Sequence, residues 1–231
     1  MHRLRQIRLA ALNIDGVLLN DTFSPVIHRF ITEHGGLYDA GVEQEIFSQP
    51  QLDASRALGA AAGLDWPAEK VREAYFELRE AYIEDHPVRL LDGVEDLLLR
   101  LRSLGVSTVC YGGLSRPHFD RHLGRFAELF DGPKYVCTND FRPGVREITT
   151  HVFGLAFDEV VFVDDVARVA QEAQELGAAF VGHPSDFAHG FQRSLMRALG
   201  VRHLVSSLDA ITHDLLHTID SESVSRTSWA G

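Results

Sequence analysis

Lysine is almost missing from this chain. Of 231 residues only Lys70 and Lys134 are lysine, and Asp plus Glu outnumber Lys plus Arg by 33 to 22, giving a formal net charge of −11. A field of that sign repels nucleic acid and anionic membrane, so neither is expected as a partner. A small anionic ligand stays open, because local donors decide such binding. Cysteine is scarce as well. Cys110 and Cys137 each lie inside an apolar run and are expected to be reduced core residues of a cytoplasmic protein rather than a disulfide. No stretch approaches the roughly 20 apolar residues that span a bilayer. The N-terminal MHRLRQIRLAALNID runs from basic to apolar like a secretion signal, but Arg8, Asn13 and Asp15 break it too early to serve as one. There is no internal repeat, and no two of the twelve histidines stand out at a metal-binding spacing.

What is present is 45% hydrophobic residues against 24% charged, enough for one large domain or a core with a smaller insert. Six short runs are apolar on consecutive residues: IRLAALNI (7–14), VSTVCY (106–111), KYVCT (134–138), EVVFVDD (159–165), AAFVGH (178–183) and RHLVSS (202–207). Consecutive rather than alternating apolarity suits parallel strands covered on both faces. Helical patterns lie between them. Asp92-Gly93-Val94-Glu95 fits a capping box opening LLLRLRSLG, and Gly105 fits its end; 166–176 has helical spacing and stops at Gly177. Strand alternating with helix predicts a parallel α/β sheet.

One segment breaks the alternation. Between the first two strands lie FSPVIHRFITEHG, QLDASRALGAAAG and PAEKVREAYFELREAYIEDH, all helix-like, where a crossover needs only a dozen or more residues. Residues 18–88 are therefore expected to form a helical cap inserted into a core built from 1–17 and 89–220. The small, polar tail 221–231 is expected to be disordered.

In open parallel sheets ligands bind at the carboxyl ends of the strands. Here those ends carry Asn13 and Asp15, then Gly112 and Gly113, then Thr138, Asn139 and Asp140, then Asp164 and Asp165. Asp15 before Gly16 could simply shape a turn, and one of the two neighbouring aspartates could cap the helix that follows. The bare backbone of Gly112 and Gly113 could bind an anion, and Arg142 could be a solvated loop residue or an anion contact.

NIDGVLLN at the first strand, LLDGVEDLLLRLRSLGV before the second and VVFVDDVARVAQEAQELGAAFVGH near the end, in this order and spacing, make the chain resemble the haloacid dehalogenase (HAD) superfamily in its helical-cap subgroup. The likeness spans about residues 7 to 207 and implies a Rossmann-like core with hydrolase ancestry. It implies a nucleophilic aspartate where Asn13 stands, an acid/base at Asp15, a hydroxyl near Gly112 (Thr108 or Ser115 if the register slips), a lysine where Arg142 stands, and Mg²⁺ at Asp15, Asp164 and Asp165. A carboxamide is a poor nucleophile, and covalent catalysis there needs a carboxylate. With one anionic ligand gone, Mg²⁺ is expected to be weak or absent, its remaining ligands Asp165 and the Asp15 carbonyl.

A change at Asn13 alone would suit a deliberately trapped enzyme. Departures at Gly112 and Arg142 as well point to natural loss. Three readings stay open: a degenerate HAD-like protein binding a small anionic metabolite or a protein partner, a hydrolase using Asp15 with water, and a structural homodimer in a larger assembly.

Overall fold

The computed structural model describes residues 3–229. All six apolar runs form strands: β1 (Leu9–Asn13), β2 (Ser107–Gly112), β3 (Tyr135–Cys137), β4 (Val160–Asp164), β5 (Ala179–Gly182) and β6 (His203–Leu204). They build one parallel sheet in the order β3-β2-β1-β4-β5-β6. Every residue of β1 and β4 is buried, as expected where helices cover both faces. The strand order reverses at β1, and in open parallel sheets the crevice at such a reversal is where ligands are accommodated.

Helices α1 (Ser24–Glu33), α2 (Ala40–Ile46), α3 (Gln51–Ala61) and α4 (Ala68–Asp85) all fall between β1 and β2. The chain leaves and re-enters the core side by side. Asn20 N–H donates to the Arg89 carbonyl and Leu91 N–H to the Leu18 carbonyl, both at 3.0 Å. The remaining helices are α5 (Val94–Ser103), α6 (Arg116–Leu123), α7 (Ala167–Leu176), α8 (Gln192–Ala198) and α9 (His213–Ser225). One face of the sheet packs Ala10, Leu12 and Cys110 against Leu97, Leu101, Phe119 and Ile219. The other packs Leu9, Ala11, Tyr111 and Phe162 against Ala170 and Met196. That core continues without a break into Phe30, Leu58 and Val71 of the inserted helices.

Four local expectations are corrected. Helix α5 has no capping box: it starts behind Gly93, whose left-handed φ of +83° leaves no capping side chain. Cys137 is exposed, because β3 is an edge strand, while Cys110 is buried. The tail is ordered where it is described: α9 runs to Ser225, and the Trp229 indole donates to the Ala178 carbonyl at 2.9 Å; 230 and 231 lie outside the described residues. His118 and His122 do stand one helical turn apart on α6, with ring centroids 4.9 Å apart. Among the described residues no helix is long and apolar enough to cross a membrane.

Candidate functional site

Odd-numbered residues of β1 face the sheet side that the inserted helices cover, so Asn13 ends the strand pointing under them. Its Nδ2 donates to the Asp15 carbonyl and to Asp165 Oδ1, each at 2.8 Å, and its Oδ1 accepts from the Ile14 N–H at 3.0 Å. Two acceptors on one side and a donor on the other fix which end of the amide is nitrogen.

Asp165 follows β4 and presses on the turn after β1. A Cβ on Gly16 would stand 2.2 Å from Asp165 Oδ2, and Gly16 has φ +87°, so glycine is required twice over. His183 holds the same turn, its Nδ1 2.9 Å from the Gly16 carbonyl; the acceptor fixes the proton on that nitrogen. Burial, and then the charge of Asp164, push the Asp165 carboxyl well up, against the Asn13 hydrogen bond. Asp164 turns the other way. It is fully buried, accepting from the Tyr111 hydroxyl and from the Val166 N–H at 2.8 Å, and burial pushes it up to about 6.

Asp15 is held by a residue that sequence reasoning did not single out. His118 Nε2 of α6 lies 2.9 Å from Asp15 Oδ1, and both side chains are nearly covered. At the end of β2, Gly113 supports Arg142. A Cβ at Gly113 would stand 2.4 Å from Arg142 Nη2, so the guanidinium lies against bare backbone.

Asn13, Asp15, Gly113, Arg142 and Asp165 thus surround one cavity of about 150 Å³, between the strand ends and the inserted helices. Gly112 and Asp164 do not line it. The space a Gly112 side chain would take is filled by Ile14, whose Cγ2 lies 2.4 Å from the would-be Cβ, and Asp164 is anchored in the core. Neither alternative hydroxyl reaches it. Thr108 is buried at the opposite end of β2, donating to the Leu129 carbonyl, and Ser115 precedes α6 off the cavity wall.

The family likeness implies Mg²⁺ at this floor, and the Asn13 amide as it is turned here does not suit it. The Asp15 carbonyl and Asp165 Oδ1, the oxygens left to hold a cation, are bridged by the hydrogens of a neutral amide. A hard dication needs oxygen donors, not N–H groups, facing it. Among the described residues no group of three or more His, Cys, Asp or Glu is arranged for a metal ion.

No family model matches the chain. No curated protein sequence matches it either. Solved structures do. A conserved haloacid dehalogenase-like protein of unknown function from Agrobacterium tumefaciens is 21% identical with a TM-score of 0.63, over 94% of this chain and 99% of that one. A β-phosphoglucomutase from Clostridium difficile is 11% identical with a TM-score of 0.68, over 95% and 99%. A HAD family hydrolase from Deinococcus radiodurans, solved with bound phosphate and sodium, is 18% identical with a TM-score of 0.59, over 93% and 97%.

The chain has the HAD-like fold.

Within this HAD-like fold the upper cavity wall comes from residues that carry no sequence motif. Asp21, Arg72 and Tyr75 line it beside Phe23, Ile27, Ile46, Leu58 and Phe76. Asp21 Oδ1 accepts from the Phe23 and Ser24 N–H groups, each at 2.9 Å, which starts α1. An acidic residue three positions before Ser24-Pro25 was the one available signal. Gln51 ties the wall to the floor, its N–H to Asn139 Oδ1 at 3.0 Å and its Nε2 to the Gly113 carbonyl at 3.2 Å.

Proposed function

We propose that this HAD-like protein has lost phosphoryl transfer and binds a small anionic metabolite in the cavity, with residues 18–88 as its cap. The observation that carries the reading is the Asn13 amide, tied to the Asp15 carbonyl and Asp165. An amide in a nucleophile's place forms no covalent intermediate, and its hydrogens stand where a cation would need oxygens. Mg²⁺ binding is correspondingly weak or absent. A metabolite is favoured over a protein partner because Asn13, Asp15, Arg142 and Asp165 turn into a cavity rather than onto an open face.

A second reading has one observation in its favour. The His118–Asp15 contact is the kind of imidazole–carboxylate pair that can move a proton to or from water. One screen separates the two. Wild type, Asn13→Asp and Asp15→Asn are assayed against p-nitrophenyl phosphate and common sugar phosphates with Mg²⁺. The degenerate reading expects no turnover by the wild type and little gain in Asn13→Asp, since the residues that build such a site act as a unit. Adding Gly112→Thr is not a rescue, because its Cβ collides with Ile14. Wild-type turnover at ordinary enzyme rates, abolished in Asp15→Asn, would reject the degenerate reading in favour of the water-based one.

A further inference from the structure

The cavity's wall and floor differ in chemistry. The wall is apolar, with Phe23, Ile27, Ile46, Leu58, Phe76 and Leu114 facing in. The floor and one side carry three carboxylates, Asp15, Asp21 and Asp165, and two guanidinium groups, Arg72 and Arg142. Each carboxylate has a donor on one oxygen: His118 for Asp15, Asn13 for Asp165, and backbone N–H groups for Asp21, whose second oxygen is buried without a partner. The guanidinium groups are less well provided for. Among the described residues neither arginine forms an ion pair, and Arg142 has only a long 3.4 Å contact from Nη1 to Ser48 Oγ. Tyr75, 8% exposed on the same wall, has a hydroxyl without a partner. The half-buried Arg142 guanidinium, against bare Gly113 backbone and without an ion pair among the described residues, is open to an anion, and a carboxylate matches its planar fork.

We infer that the cavity takes the anion of a carboxylic acid with a compact apolar body, its head on Arg142 and its body against the α1, α3 and α4 wall. The size follows from the volume: about 150 Å³ accommodates a group about the size of a benzene ring. A sugar would set part of its hydroxyl ring against Ile27, Leu58 and Phe76, which offer no partner, whereas a compact apolar body loses nothing there. A doubly charged phosphate meets Asp15 and Asp21 with twice the charge of a carboxylate and, at Gly112, no hydroxyl donor. An amine would answer the second Asp21 oxygen but leave both arginines unmatched. The inference rests on the cavity being a small-anion site, but not on the loss of turnover.

The test is calorimetric titration of the whole protein with four probes: phenylacetate, benzylamine, glucose 6-phosphate and inorganic phosphate. Phenylacetate is expected to bind most tightly. Arg142→Gln should weaken it at least about tenfold, the scale of a lost charge-assisted contact. Ala54→Phe, which fills the cavity from α3, should abolish it while the unfolding midpoint of each variant reports that the fold is intact. Benzylamine, glucose 6-phosphate or phosphate binding as tightly as phenylacetate would overturn the inference. So would phenylacetate affinity unchanged in Arg142→Gln, or no binding of phenylacetate at millimolar concentration. Turnover of phosphomonoesters overturns the preceding reading, whereas this one falls on binding alone, as when a phosphate probe binds as tightly as phenylacetate or Arg142→Gln changes nothing, so the two failures are distinguishable.

Discussion

The Asn13 side chain donates to two oxygens, the Asp15 carbonyl and Asp165 Oδ1, that face the same small space. Asn13→Asp replaces that donor with a second carboxylate beside Asp165. It is expected to lower stability at pH 7.5 by about 2–4 kcal/mol, the scale of a buried charge left unpaired. Millimolar Mg²⁺ should recover part of the loss in the variant and leave the wild type unmoved. Urea unfolding with and without the ion checks both, and equal stability of the two proteins would contradict the argument. Gly16→Ala should cost about 3 kcal/mol by the same measurement, from a left-handed backbone and a collision with Asp165. Asn13, Asp15 and Asp165 were legible in the sequence because each sits where an apolar strand stops, and a strand end in a parallel sheet has one place to point. His118 was not. It lies 103 residues from Asp15, and only the packing of α6 beside β1 brings the two together.

Among the elements, the six strands were legible because burial on both faces writes itself as consecutive apolar residues, and α1, α3 and α4 because each is ten or more residues long. Helix α2 escaped notice. It has seven residues, and what holds it is Asp39 accepting from the Val42 N–H at one end and a tertiary network at Glu43. Glu43 is fully buried and accepts from the Tyr38 hydroxyl at 2.5 Å, the Phe191 N–H at 3.0 Å and Gln192 Nε2 at 2.8 Å. This one carboxyl fastens the inserted helices to the segment entering α8. Glu43→Ala strands three buried donors and should destabilise by about 3 kcal/mol. Amide hydrogens of 40–46 should exchange faster than those of α4 in the variant. Uniform acceleration across all helices would instead mean that α2 is not a separate joint.

At the scale of the whole molecule, 33 acidic side chains against 22 basic ones make the native state repel itself at neutral pH, and the buried acids add to that cost. Glu43 and Asp165 are raised by burial, and Asp164 is pushed up to about 6. A carboxyl whose folded pKa exceeds its unfolded one binds its proton more tightly in the native state. Its contribution is complete below the unfolded value, near about 4, and is lost as pH rises through the folded value. His183 has the opposite sense. Burial lowers its pKa, so its contribution is present above the unfolded value of 6.5 and is lost as pH falls through the folded one. Through about pH 4 to 6 the raised carboxyls therefore favour acid, and His183 opposes them. With several raised carboxyls against one lowered histidine, the urea midpoint is expected to fall as pH rises from about 4 to about 6. Asp165→Asn keeps an acceptor for Asn13 and removes one raised carboxyl, so it should flatten that fall. A midpoint that climbs steadily from about pH 4 to about 6, or an Asp165→Asn profile parallel to the wild type, would mean that the floor of the cavity does not govern the pH response.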